Sequence, residues 1–382
     1  MKRKLGEICR IVSGSTPKTG IPEYWDGDLK WITPAELNDE SRVVNDTKRT
    51  ITELGATKTG LTPLPAGTVL LSSRAPIGKV AIIGCEMYCN QGFKNLICSD
   101  SINNEYLYWF LKGKTQYLNS LGRGATFKEI SKTIVADIEI NLPNIEEQEK
   151  IVNRIEKIDS RLTMLRAEIS RLDELIKARF VEMFSESKCG TKKLNEITDI
   201  ITKGTTPTTA GFEFTDSGIN FFKIESITED HTINLNKVAH VSEECHKTLR
   251  RSQLREGDVL FSIAGAIGRT AIISKGDLPG NTNQALAIIR LSNDSGISQK
   301  YLISALDSPE VFEQCRTQKR GVAQINLSLQ DVGNIEIPIP SPMKQKTFEL
   351  FAKQVDKSKF AVQKSLEKTQ LLFDSLMQEY FG

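Results

Sequence analysis

The sequence predicts an α+β fold in which two similar mixed α/β domains alternate with two long helices. Two observations predict it: blocks of sequence recur in the same order roughly 190 residues apart, and a seven-residue apolar pattern follows each copy. The chain has 382 residues, 39% of them hydrophobic and 26% charged. It is therefore long enough for several globular domains of ordinary composition.

The repeat covers nearly the whole chain, in blocks separated by short insertions. KLGEICRIVSGSTP resembles KLNEITDIITKGTTP, WITPAEL shares its apolar pattern with FFKIESI, and LPAGTVLLSSRAPIGKVAII matches LREGDVLFSIAGAIGRTAII without a gap. Further along the chain, CNQGF resembles TNQAL, and DIEINLP resembles NIEIPIP. Short β-branched runs such as GTVLL and DVLFSI, bounded by Gly and Pro, predict strands, and NEYLYWFLKG and QKYLISALDS predict one helix in each copy.

A heptad pattern follows each copy. Apolar residues from Ile151 to Ile176 recur at alternating steps of four and three, which predicts a helix from about Glu146 to Phe184. The second pattern, from Phe348 to Phe373, contains polar Lys359 and Thr369, which weaken a coiled coil while fixing its register. We expect the helices to pack as an antiparallel coiled coil that relates the two copies by a pseudo-two-fold axis. About 40 residues at about 1.5 Å each would make a rod about 60 Å long, with one globular unit at each end.

These patterns divide the chain into four segments. The first head is residues 1–143, the central helix 144–186, the second head 187–340 and the C-terminal helix 341–382. The chain has no apolar run of 18 residues and no signal-peptide core, so we expect a cytoplasmic protein without a membrane span. Its seven scattered cysteines are typical of reduced thiols. A net charge of +2 neither requires nor excludes nucleic acid, so a DNA-binding surface would have to be a local basic patch.

The order of head, heptad helix, head and heptad helix resembles the specificity subunit of type I restriction-modification enzymes. The blocks KLGEI, GSTP and GTTP, VLLSSRAPIGKVAI, NQ and INLPNIEEQEKIV carry the resemblance over essentially all 382 residues. It implies two target recognition domains that each read half of a bipartite double-stranded DNA sequence, with the helices setting the gap. It also implies a non-catalytic chain that recruits two methylation subunits and, for cleavage, restriction subunits with motor and nuclease activity. S-adenosylmethionine, ATP and Mg would then bind those partners.

Missing motifs independently favour a non-catalytic chain. RAPIGKVAII resembles the end of a phosphate-binding loop, but Ser73 and Val80 stand where that loop needs a glycine and a Ser or Thr. No Pro-Pro pair is present for an amino-methyltransferase loop, and no Pro-Cys pair for a cytosine C5 methyltransferase. Two alternatives stay open: a two-headed protein-interaction scaffold, and a silent specificity copy that serves as a recombination partner.

Candidate DNA-binding residues fall into two groups. Residues common to both heads are expected to contact phosphate or support the scaffold, whereas base readout should lie where the heads differ. The first group flanks glycine turns and contains two pairs at matching positions, Lys79 with Arg269 and Arg123 with Arg320, together with Arg74, which has no basic counterpart in the second head. The second lies in the divergent stretches 16–30, 40–51, 208–220 and 240–253 and contains Lys18, Tyr24, Lys48, Arg49, Lys247, Arg250 and Arg251. For each residue the alternative is an ordinary solvated turn or loop.

Two other sets of residues have structural alternatives that we favour. The repeated Asn-Gln pairs, Asn90-Gln91 and Asn283-Gln284, could bond adenine edges, but their presence in both heads favours a role in holding a loop. His240, Cys245 and His246, and separately Cys85 and Cys89, do not supply four ligands at matching positions. We therefore expect no metal site.

Deleting one heptad, residues 158–164, tests the spacer function of the central helix. The deletion should change the length of the gap between the two half-sites and leave both half-site sequences intact, because it removes two helical turns but no head residue. Mapping the methylated sequence in cells that carry the deletion measures both. A changed half-site with an unchanged gap would contradict the spacer model.

Overall fold

The repeated sequence blocks form repeated structure in a computed structural model of the chain, which describes residues 1–38, 40–74, 76–123, 128–184, 190–317 and 326–382. The chain divides into two units, one of Met1–Arg166 and Lys364–Gly382, the other of Ala167–Gln363. Each unit therefore contains one head and part of both long helices. Arg320 lies outside the described residues.

The first head combines short strands with short helices, and the central helix follows it. Its strands are β1 (Lys2–Lys4), β2 (Cys9–Ser13), β3 (Trp25–Ile32), β4 (Val43–Val44), β5 (Arg49–Ile51), β6 (Val69–Ser72), β7 (Val80–Ile83), β8 (Tyr88–Cys89), β9 (Phe93–Cys98) and β10 (Glu139–Asn141). Its helices are α1 (Leu5–Ile8), α2 (Glu53–Thr59), α3 (Asn104–Gly113), α4 (Thr115–Leu121) and α5 (Lys132–Ala136), and α6 (Ile145–Phe184) is the central helix.

The second head repeats this order with fewer strands. Its strands are β11 (Thr191–Lys193), β12 (Thr198–Lys203), β13 (Ile219–Phe222), β14 (Ala239–Val241), β15 (Val259–Ser262), β16 (Thr270–Ile272), β17 (Gly280–Thr282), β18 (Leu286–Leu291) and β19 (Glu336–Pro338). Its helices are α7 (Glu243–Thr248), α8 (Gln299–Leu306), α9 (Pro309–Thr317) and α10 (Leu329–Gly333), followed by the C-terminal helix α11 (Pro342–Phe381).

Corresponding strands pair in the same order in the two heads. The main sheet runs β2-β9-β6-β7-β4 in the first head and β12-β18-β15-β16 in the second. A smaller sheet in each head carries the divergent loops: it runs β5-β3-β8 in the first head and β14-β13-β17 in the second. Each of these sheets contains one parallel pair, β3 with β8 in the first head and β13 with β17 in the second. A third sheet joins the first and last strands of each head. The predicted strands and the two predicted helices are confirmed.

One buried helix and one phenylalanine from a long helix form the core of each unit. In α3 the residues from Tyr106 to Leu111 are all buried, because this helix lies between the main sheet and the long helices. The Tyr106 ring contacts Phe381, at the end of α11, with 5.1 Å between the ring centroids. In the second unit Tyr301 of α8 contacts Phe184, at the end of α6, at 5.2 Å. Each head thus packs against the last turn of the helix that follows the other head in sequence.

A fully buried glutamine fixes each head to the helix that follows it. The side chain of Gln148, in the first turns of α6, accepts a bond from Asn103 N at 2.8 Å and donates to the carbonyls of Ser101 and Pro143 at 3.0 and 2.9 Å. Gln345 in α11 makes the matching bonds, accepting from Ser298 N and donating to the carbonyls of Gly296 and Pro340. These groups are satisfied only in one arrangement, so they determine the direction in which the helix leaves the head.

The long helices pair antiparallel within each unit, as predicted. In the first unit Arg154 and Arg166 of α6 bond Tyr380 and Gln370 of α11, at 2.9 and 3.1 Å. In the second unit the seam residue Lys359 is buried, and its ammonium group lies 2.7 Å from Asp173 and 2.9 Å from Asp230. Because an unpaired buried charge is costly, this lysine disfavours any register that separates it from those carboxylates. No described helix is both long and apolar enough to cross a membrane.

Replacing Gly204 with alanine should destabilise the second unit. A Cβ atom at Gly204 would stand 1.7 Å from the carbonyl oxygen of Thr282, so the backbone would have to move; Gly14 has the same close approach to Cys89 in the first head. We expect the free energy of unfolding to fall by about 2 kcal/mol or more, measured by urea denaturation. Gly190→Ala is the control, because no atom of the described residues lies within 4 Å of a Cβ there. Equal stability of the two variants would contradict this account.

Candidate nucleic-acid interface

In the first head an exposed arginine stacks on a pair of tryptophans. Trp25 and Trp31 on β3 meet edge to face, with 5.1 Å between ring centroids. Arg49 on β5 lies opposite Trp31, and its guanidinium is 3.7 Å from the centroid of the Trp25 ring. Stacking fixes the plane of the guanidinium and leaves its N–H groups available at the edge. Arg49 is therefore preorganised for a bidentate contact with phosphate or with a guanine edge.

The same tryptophans hold two other candidates in place. The Trp25 indole N–H donates to the carbonyl of Lys18 at 3.2 Å, and Tyr24, half-buried, directly precedes Trp25. The backbone of Lys18, the side chain of Tyr24 and the guanidinium of Arg49 thus lie near the Trp25 indole. Lys48 is exposed beside Arg49, and its backbone N–H donates to Glu36 at 2.7 Å.

The second head carries a matching feature with different residues. Phe214 and Phe221 meet edge to face at 5.4 Å, and the ammonium group of Lys223 lies 4.3 Å from the Phe214 centroid. Phe221 occupies the repeat position of Trp31. Sequence reasoning did not select Phe214 or Lys223, although Phe214 lies in the divergent stretch 208–220. We call each set of a cation and an edge-to-face aromatic pair a stacked platform: Arg49 lies over both Trp25 and Trp31, whereas Lys223 lies over Phe214, which in turn packs on Phe221.

Two of the second head's candidate arginines line one cavity. Arg250 and Arg251 border a space of about 430 Å³ together with Arg255 and Arg290. Arg290 is bonded at 2.7 Å to each oxygen of the buried Asp258, and this hydrogen bonding raises the pKa of the Arg290 guanidinium. The other three arginines are exposed and suit an anion. Sequence reasoning missed Arg255 because it lies in a block shared by the heads.

Lys247 lies apart from this cavity lining. It is exposed on α7, and its ammonium group is 3.6 Å from Glu243, one turn earlier on the same helix. An exposed pair of this kind is weak, so Lys247 is free to reach another anion.

The glycine turns of the two heads have the same hydrogen bonds. The Ser72 hydroxyl accepts from Lys79 N at 2.8 Å, and the Ser262 hydroxyl accepts from Arg269 N at 2.7 Å. The preceding residues, Gly78 and Gly268, have φ angles of 97° and 93°, which require glycine in both copies. The turn itself is therefore scaffold.

The basic side chains after these glycines differ in environment. Lys79 is half-buried and donates to the backbone carbonyls of Pro34 and Leu37, at the end of a short 3₁₀ helix. Arg269, at the matching position, is exposed. The matched sequence positions thus hold one cation that supports the fold and one that is available to a ligand.

Arg74 and Arg123 lie on either side of one short segment. Both form backbone bridges with Glu129, whose carboxylate lies 3.1 Å from the ammonium group of Lys94, a buried residue that sequence reasoning did not select. The Arg123 side chain is exposed and that of Arg74 half-buried. Arg320, the counterpart of Arg123, lies outside the described residues.

The Asn-Gln pairs support the fold in both heads. Asn90 accepts from the N–H of Gly92 at 2.8 Å, and Asn283 accepts from the N–H of Ala285 at 3.1 Å, so both close the same tight turn. The side chain of Gln91 bonds Thr16, and that of Gln284 bonds Thr206. These contacts favour the structural interpretation over base readout.

The possible metal ligands are used elsewhere. In the described parts of the chain no three His, Cys, Asp or Glu side chains come together to hold a metal ion. His246 bonds Asn281, and Asn95 donates to the Cys89 sulfur at 2.9 Å. Burial raises the pKa of Cys89 to about 12, which keeps it a thiol rather than a metal-binding thiolate.

Comparison with known proteins supplies the family. The family described as type I restriction modification DNA specificity domain matches residues 1–174 and 186–371. The MjaIX specificity subunit of Methanocaldococcus jannaschii is 42% identical over 160 residues, 41% of this chain and 37% of that protein. The EcoBI specificity subunit of Escherichia coli is 24% identical over 317 residues, 74% of this chain and 66% of that protein. The chain thus spans less than two thirds of the length of these two relatives.

Solved structures share the fold over the full chain. A chain solved for the complex assembly and conformational transition of a type I restriction-modification system has a TM-score of 0.65 at 18% identity, covering 100% of this chain and 97% of that one. The S subunit from M. genitalium has a TM-score of 0.52 at 16% identity, with coverage of 100% and 96%. Because the family match includes both heads and most of both long helices, the chain belongs to the type I restriction-modification DNA specificity family.

Proposed function

We propose that this chain is the non-catalytic specificity subunit of a cytoplasmic type I restriction-modification complex. Each head reads one half of a bipartite double-stranded DNA target, and the paired helices set the gap between the halves. Two methylation subunits dock on the helices, and restriction subunits add the motor and nuclease. S-adenosylmethionine, ATP and Mg bind to those partners, where the catalytic residues lie.

The observation that carries this proposal is the stacked platform in each head. Both platforms lie on the small sheet that carries the divergent loops, and in both a cation lies over a ring of an edge-to-face aromatic pair. The chemistry differs, however, because one offers a planar guanidinium and the other an ammonium group. A guanidinium can bond both acceptors of a guanine, whereas an ammonium group acts as a point charge. The two heads are therefore suited to unequal half-sites.

The shared turns account for the sequence-independent part of binding. Exposed arginines such as Arg123 and Arg269 lie at turns that are not divergent, which suits contacts to phosphate. The three exposed arginines of the second head's cavity suit the same purpose. A chain with a net charge of only +2 would thus concentrate its basic groups where the backbone of DNA passes.

Mapping adenine methylation in single DNA molecules tests the proposal. A methylation-free host expresses the chain with the neighbouring methyltransferase subunit, and a second culture expresses the methyltransferase alone. We expect a split motif, two short words around a fixed gap, only when this chain is present. Co-purification without methylation would indicate a silent or mispaired copy, and absence of association would favour the scaffold alternative.

Two platform variants sharpen that test. Arg49→Gln should alter or relax the sequence of one half-site only, and Lys223→Gln that of the other, because each base-specific contact contributes about 1–3 kcal/mol of discrimination. Lys132→Gln and Lys192→Gln are the matched controls: both lysines are exposed, on α5 and β11, away from the divergent loops. If the methylated motif is identical in all four variants, the platforms do not contribute to base readout.

The paired turn cations should behave differently in DNA binding. Arg269→Gln should weaken binding and lower the slope of log K against log salt by about 0.9, the value for one phosphate contact. Lys79→Gln should leave that slope unchanged and lower the thermal stability, because two carbonyl groups lose their donor. Binding isotherms at several salt concentrations measure the slope. A lower slope for Lys79→Gln would contradict its structural assignment.

A further inference from the structure

The second unit contains a large apolar cavity. It has a volume of about 550 Å³ and lies among α6, α8, α11 and the loop at His231. Apolar side chains that line it include Ile176, Phe180, Ile303, Phe348 and Phe360. Protein interiors are normally packed without such voids, so this space is suited to an occupant.

In the first unit the matching place is filled by the chain itself. Trp109, three residues after Tyr106 on α3, is buried there, and Phe373 of α11 packs edge to face on it at 5.9 Å. The second unit has Ser304 three residues after Tyr301, and Ile176 at the repeat position of Phe373. The second unit thus lacks both aromatic rings that fill this place in the first unit, and the space they would occupy is the cavity.

A histidine of the second unit stands where the first unit has an arginine. In the first unit the Arg42 guanidinium lies 5.9 Å from the Trp109 ring centroid and pairs with Glu105 at 3.1 Å and with Glu156. The carbonyl of Arg42 accepts from Ile82 N, just as the carbonyl of His231 accepts from Ile272 N. His231 therefore replaces Arg42. Burial lowers the pKa of His231, which favours its neutral form.

Carboxylates outnumber lysines in the lining of the cavity: it has six carboxylates, Asp173, Glu229, Asp230, Asp307, Glu349 and Asp356, and four lysines, Lys177, Lys300, Lys353 and Lys359. Lys359 is already paired with Asp173 and Asp230, and Lys177 with Asp307. Asp356 lines the cavity without an ion-pair partner among the described residues, and burial raises the pKa of its carboxyl group. An incoming guanidinium would lie beside a carboxylate here, as Arg42 does in the first unit.

We propose that this cavity receives an aromatic side chain, accompanied by an arginine, from a partner protein chain. The partner thereby supplies to the second unit the ring and guanidinium that Trp109 and Arg42 supply to the first. In the described part of the first unit, Trp109 and Phe373 already occupy the matching place. The partner's identity as a methylation subunit rests on the proposed function, whereas the socket itself does not.

Binding of 5-fluoroindole to the full-length chain, followed by ¹⁹F NMR, tests the socket. We expect saturable binding by the wild type and by Ser304→Ala, a control that keeps the cavity open. Ser304→Trp fills the space as Trp109 does and should weaken binding at least tenfold. Ile176→Phe, which restores the residue type of Phe373, gives a second filled variant should Ser304→Trp fail to fold. Absence of saturable binding by the wild type, or binding by both filled variants that is as tight as that of the wild type, would overturn the inference.

Co-expression with the methylation subunit tests the occupant. Ser304→Trp should reduce recovery of the complex at least tenfold, while Ser304→Ala and Trp109→Phe should not. Normal assembly of the Ser304→Trp complex would overturn this inference and leave the proposed function intact. If the wild-type chain does not assemble with a methylation subunit at all, the proposed function fails, whereas the fluoroindole result still decides whether the socket exists.

Discussion

The buried glutamine at the start of each long helix is the constraint on which the architecture depends. Gln148 and Gln345 satisfy backbone groups of the preceding head with both ends of their amide. Loss of any of these bonds would leave a buried polar group unpaired, at a cost of about 1–3 kcal/mol. A pivot between head and helix is therefore energetically disfavoured. Without that rigidity each long helix would be a flexible tether, and its direction relative to the preceding head would not be defined.

Much of the fold could be predicted because duplication makes the sequence its own comparison. Blocks that recur in order identify strands and helices that must serve both heads, and the heptad pattern identifies the long helices to within a residue at their ends. The glutamines were not predicted, since one polar residue near a helix start has no distinctive pattern. Their role follows from their hydrogen bonds to backbone groups of the head, which depend on the tertiary structure.

The candidate interface was less predictable, for reasons that particular residues show. The stacking of Arg49 on Trp25 depends on how β3 and β5 align, which an apolar pattern does not specify. Lys79 and Arg269 occupy equivalent positions, yet only Lys79 has carbonyl groups within reach. Phe214 and Lys223 stand in no distinctive sequence pattern. Their role depends on the contact of Phe214 with Phe221 of β13 and on the position of Lys223 over the Phe214 ring. Divergence between repeats indicates which loops to consider for a candidate interface, but tertiary contacts determine which of their side chains come together.

The exchange of helix ends between the repeats has a consequence for the independence of each repeat. Phe381, from the second repeat, completes the core around Tyr106, and Phe184, from the first, completes the core around Tyr301. Neither repeat contains all the residues of its own hydrophobic core. A polypeptide with a single repeat could bury these surfaces only by pairing with a second copy of itself. The two repeats thus exchange a structural element within one chain, as the subunits of a domain-swapped dimer do between two chains.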